Sequence, residues 1–243
     1  MILFIEAAGV SAGTVVLVRV HYDSEVVDFS KWREPCDPLS TELHMYPVVA
    51  FVLTSLGALA LATFLDRPVW QALLLIDPAV QSAGWSQALR SLGFLPVWLT
   101  VAFGFFLNAH TTRFTASSRA LLLATSVVVA GGLGEILKML IRRLRPDATG
   151  GEYVWRLFIE DPFSSSGLGM PSGHAMVAFA AAWVLCRLFH RAAGVWIFAA
   201  CGCAATRVLS QAHFVSDTVL AAVIAFALVR FIWGCNVHLK LRC

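Results

Sequence analysis

Three short stretches hold residues whose types and spacing suit phosphate chemistry. In "KMLIRRLRP", Lys138 and Arg145 stand seven positions apart and Pro146 follows directly. Seven residues is nearly two helical turns, so the two cations share a face about 10 Å apart and their long side chains can converge on one anion. In "PSGH", a helix starting at Pro171 or just after it, with Ser172 and Gly173 in its first turn, presents unpaired backbone N–H groups and the positive end of its dipole to a phosphate. Gly173 lets the anion come close, and His174 is held beside it, where a general acid is wanted. In "TRVLSQAHFVSD", Thr206 and Arg207 precede His213, and Asp217 follows four positions later. That spacing lets a carboxylate reach the imidazole and fix its tautomer, although Asp217 could also simply cap the last helix. Arg207 and His213 lie six apart, on different faces of a continuous helix. They can work together only if the chain turns near Ser210 to Ala212, where the hydropathy dips.

The elements that must position these residues are apolar. Of 243 residues, 58% are hydrophobic and 14% charged, and the mean hydropathy is +0.75, well outside the range of soluble domains. Five runs are long enough to cross a hydrocarbon core of roughly 30 Å: Tyr46 to Leu65, Phe94 to Ala109, Arg119 to Ile141, Val195 to Leu209 and Phe214 to Gly234. The run Gly169 to Phe189 supplies a sixth, and those starting at Phe94 and Val195 are short. The fold class expected is therefore all-α: a polytopic bundle of six transmembrane helices over 46–234, with a leader and linker over 1–45 and a cytoplasmic tail over 235–243. A net charge of +3 is too small to argue for nucleic acid. The six cysteines suggest neither a disulfide framework nor a metal site; Cys201 and Cys203 sit in mid-span with no histidine or carboxylate nearby, so core packing is the reading for them.

Basic residues in short loops set orientation. Arg113 and Arg119, Arg187 and Arg191, and Arg230, Lys240 and Arg242 mark three cytoplasmic regions. The opposite face then receives Lys138, Arg142, Arg143, Arg145 and Arg156, against the usual bias, which means that these cations have another task. It also carries all three chemical stretches. Residues 1–20 are interrupted by Glu6 and have no basic start, so an interfacial helix or loose leader is expected there rather than a cleaved signal. Trp70 to Leu95 reads as a segment on the membrane surface.

In these motifs the chain resembles the type 2 phosphatidic acid phosphatase family, integral-membrane lipid phosphatases related to vanadium haloperoxidases and bacterial acid phosphatases. Its first motif, lysine, six residues, arginine and proline, is matched at Lys138, Arg145 and Pro146, and its second at Pro171 to His174. The third, serine and arginine, five residues, histidine, three residues and aspartate, is matched at Arg207, His213 and Asp217, with Thr206 in place of the serine. The resemblance covers roughly residues 46 to 234. It implies that His213 attacks phosphorus to form a phosphohistidine, that Asp217 holds its other nitrogen, and that His174 protonates the leaving alkoxide. Lys138, Arg145, Arg207, Ser172 and Gly173 would bind the phosphoryl oxygens. It implies no metal and no cofactor, with activity that survives chelators and yields to vanadate, and a bell-shaped dependence on pH.

Other residues carry open alternatives. Arg142 shares much of the Lys138 face and is a candidate contact for a second phosphate; Arg142, Arg143 and Arg230 could instead snorkel to headgroups. Glu135 suits an ion pair with Lys138 or Arg142. Tyr153, Trp155, Phe158 and Phe163 would serve equally as an interfacial lid or as anchors. The implied substrate is a lipid phosphate in the exoplasmic leaflet, periplasmic in a bacterial inner membrane: phosphatidic acid, phosphatidylglycerol phosphate, undecaprenyl pyrophosphate and lipid A phosphate share the chemical handle. Competing functions are a lipid phosphotransferase of the same family and, from another class, a transporter or proton channel, whose charges would lie near the midplane instead of clustering at one surface.

Overall fold

The computed structural model describes residues 21–22, 25–26, 40–77, 79–108 and 115–240. Most of the expected leader, Arg113, Arg242 and the end of the tail lie outside the described residues. The chain divides into two compact units, Met1–Thr54 and Ser55–Cys243. In the first, His21–Tyr22 (β1) and Glu25–Val26 (β2) pair as a short antiparallel ribbon. Helix α1, Ser40–Leu73, begins there and continues into the second.

Helices α2 (Ala79–Ser82), α3 (Gly84–Ser91), α4 (Leu95–Asn108), α5 (Thr115–Ile141), α6 (Pro146–Thr149), α7 (Gly173–Leu188), α8 (Ala193–Leu209) and α9 (Val215–Lys240) make up the second unit. Helix α7 is its axis, packed by α5, α8 and α9, with α4 against α5 and α3 against α8. The sequence of α7 explains this place: Ala175, Ala178, Ala180, Ala181 and Ala182 are buried. Small side chains let neighbouring backbones approach closely, which is how helices associate where lipid offers no hydrophobic drive. Outside this core, large apolar side chains such as Leu53, Phe64, Leu121 and Phe198 face outward, as an integral membrane protein requires.

Among the described residues, four helices are long and apolar enough to cross a membrane: Val48–Leu73, Ser118–Ile141, His190–Leu209 and Val215–Cys235. A fifth crossing forms if α3 and α4 count together across their 61° bend. Among the described residues, then, four or five of the six expected spans reach crossing length, and the sixth, Gly173–Leu188, is an apolar but shorter helix. The run at Phe94 yields an α4 of 14 residues and the run at Gly169 an α7 of 16, about 21 and 24 Å long and short of a bilayer core. The first crossing, conversely, runs eight residues past Leu65. A hydropathy reading ends at Asp66 because it charges a lone carboxylate the full desolvation cost, whereas Asp66 is 1% exposed and fully partnered. Trp70 accordingly belongs to α1 rather than to a surface segment.

Candidate active site

The three chemical stretches meet where the C-terminal ends of α5 and α8 adjoin the N-terminal ends of α7 and α9. Backbone bonds lock them together. Past Ile141 the chain leaves the helix at Arg142, whose φ of 59° is left-handed, and enters an extended stretch. There Leu144 N–H donates to Val154 O at 2.8 Å, Arg145 N–H to Gly167 O at 3.1 Å, and Gly169 N–H to Arg143 O at 2.8 Å. Pro146 then opens α6 at its first position, where a missing N–H costs nothing. Asp147 N–H reaches Gln211 O at 3.2 Å, and Ser172 N–H reaches Asp217 O at 3.2 Å. The turn required between Arg207 and His213 is present: α8 ends at Leu209 and Gln211 takes φ 57°.

On this frame His213 is 3% exposed, and its Nδ1 lies 2.8 Å from the carbonyl oxygen of Gly169. A carbonyl only accepts, so Nδ1 carries the proton and the lone pair of the neutral ring sits on Nε2. Asp217 Oδ2 stands 3.6 Å from Nδ1, beyond hydrogen-bond range, and instead accepts from Phe214 N–H at 2.8 Å. The expectation that Asp217 itself holds the imidazole nitrogen is thereby modified: the peptide carbonyl holds it, and the carboxylate lends charge from behind. Gly169 fits because a Cβ there would lie 3.2 Å from Asp217 Oδ2 and 3.4 Å from Leu144 O. Burial pushes the His213 pKa down, with Arg207 and Arg145 adding to the shift and Asp217 opposing it.

The opposite wall is cationic. Lys138 is 7% exposed and bonds Glu135 Oε1 at 2.6 Å, so Glu135 takes the ion pair that its spacing suggested. Gly173 lies against that pair: a Cβ would meet Glu135 Oε1 and Lys138 Nζ at 3.2 Å each. Ser172 is the N-cap residue of α7 and makes no side-chain cap bond. Ser172 Oγ, His174 Nε2 and Arg207 Nε are buried and have no hydrogen-bond partner within the protein. Buried polar atoms are ordinarily paired, and these sit by a helix N-terminus, with its unpaired N–H groups and positive dipole end. His174 lies within electrostatic range of Arg207, His213 and Lys138, and Arg207 within range of Arg145. The arrangement has the charge and unused donors to receive a tetrahedral oxyanion, with an unprotonated imidazole nitrogen on one side and a second imidazole on the other.

A family model described as the PAP2 superfamily matches residues 119–240, which hold all three stretches. The chain belongs to the PAP2 superfamily. Among solved structures it is similar to a transmembrane PAP2-type phosphatidylglycerolphosphate phosphatase from Bacillus subtilis, at TM-score 0.54 and 21% identity over 78% of this chain and 96% of that one. At that identity the likeness speaks for the fold. A search of curated proteins gives no match.

Four residues of this PAP2 chain to which spacing gave no part in the site, Arg143, Ser216, Asp66 and Tyr153, brace the surroundings of His213. Arg143, 4% exposed, donates to Asp217 Oδ1 and, at 2.8 Å, to Ser216 Oγ. Ser216 in turn bonds Asp66 through both its hydroxyl and, at 2.9 Å, its N–H. Tyr153 donates to Asp66 Oδ2 at 2.8 Å; burial and the neighbouring Asp66 push its pKa up to about 12, so it stays a donor. The signal available in sequence was a carboxylate inside an apolar run, which is costly unless partnered.

Arg142 needs a correction. Its guanidinium is 1% exposed and donates to the carbonyls of Arg156, Leu157, Glu160 and Pro162, with Phe158 stacked 4.9 Å away. A side chain caged by loop carbonyls is not placed to bind a second phosphate. Arg156 ties the same loop through Ser164 O and Ser166 O. The cations that broke the loop-charge bias are thus structural or site-lining. Of the four loop aromatics, Tyr153 belongs to the brace, whereas Trp155, Phe158 and Phe163 are 54%, 65% and 92% exposed and suit contact with lipid.

Proposed function

We propose that the protein is a metal-independent lipid phosphatase working through a phosphohistidine. The observation that carries this reading is the 2.8 Å contact between His213 Nδ1 and the Gly169 carbonyl oxygen, which calls for the proton on Nδ1 and so leaves Nε2 free to act as a nucleophile beside the oxyanion socket. Nε2 attacks the phosphorus of a lipid phosphate and the P–O bond to the lipid breaks. The proton of His174 passes to the departing oxygen; a bound phosphate favours the charged imidazole that this step needs. Lys138, Arg145, Arg207 and the N–H groups at the start of α7 neutralise the equatorial oxygens. His174 then takes a proton from water as it attacks the phospho-enzyme, phosphate is released, and His213 is restored. The placement of the other basic loops supports an active site on the exoplasmic side of a bacterial inner membrane.

The test is release of inorganic phosphate from phosphatidic acid, phosphatidylglycerol phosphate, lipid A phosphate and undecaprenyl pyrophosphate by detergent-purified protein. The expected result is turnover of at least one of them, lost by about 10⁴-fold or more in His213→Ala. Turnover that survives in that variant would refute the mechanism. Transfer of the phosphoryl group to an alcohol without free phosphate would identify a phosphotransferase.

A further inference from the structure

Arg90, at the end of α3, lies outside the segment that matches the family, yet its corner of the chain forms one wall of the site. Its carbonyl oxygen accepts from Gly93 N–H at 3.0 Å and lies 3.9 Å from Cys203 Sγ. Cys203 is one helical turn before Arg207 on α8, so the Arg90 backbone lies next to the turn that carries the Arg207 guanidinium. Three residues on, Gly93 packs so tightly against His174 that a Cβ would sit 2.6 Å from the His174 Cβ and 3.0 Å from Cys203 Sγ. Phe94 meets the His174 ring edge-on, with centroids 4.9 Å apart. Leu89 closes on Gly202, where a Cβ would meet it at 3.0 Å. The Arg90 charge is within electrostatic range of both the His174 imidazole and the Arg207 guanidinium, and its side chain is exposed. Among the described residues no carboxylate lies within ion-pair distance of it.

Arg90 is a surplus cation for a simple monoester. Lys138 still donates to the phosphate in the reading above, but its charge is offset by Glu135, as that of Arg143 is by Asp217. Arg145 and Arg207 then already match the two charges of a phosphate monoester dianion. Asp147, the other acid in electrostatic range of Arg207, is exposed and accepts from Ala148 N–H. Arg90 then remains, within electrostatic range of His174 and with its backbone on the α3–α4 corner that packs against that residue, with no carboxylate paired to it among the described residues.

Resting on the phosphatase reading above, we propose that Arg90 selects lipids whose leaving group carries a second phosphate. In a diphosphate that group is the phosphate that stays on the lipid; in phosphatidylglycerol phosphate it is the phosphodiester beyond the glycerol. Phosphatidic acid offers neither, because its leaving group is a neutral diacylglycerol.

The experiment measures kcat/KM for wild type, Arg90→Gln and Arg90→Lys on a polyprenyl diphosphate, phosphatidylglycerol phosphate and phosphatidic acid. Each protein's thermal midpoint in the same detergent is measured alongside. Arg90→Gln is expected to lose about tenfold or more on at least one of the two doubly phosphorylated lipids and less than about threefold on phosphatidic acid, with Arg90→Lys in between. A loss confined to the diphosphate places the second anion directly on the scissile phosphate, and one confined to phosphatidylglycerol phosphate places it a glycerol away. Equal losses on all three lipids, or no loss on any, would make Arg90 an interfacial anchor and overturn the inference while leaving the phosphatase reading intact. A wild type that cleaves phosphatidic acid alone would also overturn it, and one that releases phosphate from none of the three would overturn both.

Discussion

The two sides of the socket are built on opposite rules. On the His213 side the polar groups are joined to one another, with Arg143 Nε alone of them left over: Gly169 O to the ring, Phe214 N–H and Arg143 Nη2 to Asp217, Ser216 to Arg143 and Asp66, Tyr153 to Asp66. On the anion side Ser172 Oγ, His174 Nε2 and Arg207 Nε are equally hidden and joined to nothing in the protein. The first side is organised by the fold and exists for the fold's sake as well as for chemistry. The second is organised for something that arrives. Buried networks rigidify when satisfied and destabilise when broken, so the two sides should respond to mutation differently.

The sharpest contrast is between Arg207 and Arg143. Arg207→Gln should lower kcat/KM by about 10²- to 10³-fold, the scale of losing one preorganised donor to a developing charge, and leave the thermal midpoint in detergent unchanged or raised, because a buried cation without a partner has been removed. Arg143→Ala should lower activity less, by about 10²-fold, through misplacement of His213. It should cost the fold about 3 to 5 kcal/mol, because Asp217 is left buried and unpaired; Arg143→Lys should recover part of both. Equal loss of stability in the two variants would erase the distinction between the sides.

A smaller effect sharpens the boundary at His174. Gly93→Ala forces a methyl group to within 2.6 Å of that residue, so rate should fall by roughly tenfold as the acid is pushed out of line, while Gly104→Ala, which meets open space, should change nothing. Unchanged turnover in Gly93→Ala would mean that His174 is not held by the α3–α4 corner.

The smallest expected signal is a displacement along the pH axis. Burial lowers the His213 pKa, so the ring stays neutral to more acid pH and the acid limb of kcat/KM falls below the ordinary histidine range. Asp217 opposes that shift. Asp217→Asn removes the opposing charge, so whatever activity remains should show its acid limb at still lower pH. A limb that moves towards neutral pH would show that Asp217 does not face the ring electrostatically.

The contrast also explains what could be read from sequence. Residues on the anion side are named by type, since cations and a helix start with glycine have few other uses at that spacing; the turn at Gln211 was legible because two residues six apart could cooperate in no other way. On the His213 side the decisive contact is a main-chain carbonyl, Gly169 O, which no residue type announces, and the brace reaches across 150 positions to Asp66. Arg142 and Arg143 are adjacent and chemically identical, and spacing cannot tell that one clasps a loop while the other clasps Asp217. Span lengths were less legible for a related reason: helix length is set by where the chain must bend to build the site, as at Leu92 to Phe94, and not by hydropathy alone.

The clasp of Arg142 on the carbonyls of residues 156, 157, 160 and 162 has a consequence for adaptation. A loop moored from within by the guanidiniums of Arg142 and Arg156 does not depend on its outermost side chains to keep its shape. Leu157, Ile159 and Phe163, which point outward, are therefore free to be exchanged for residues suited to thicker, thinner or more crowded bilayers, and the machinery beneath them would not register the exchange.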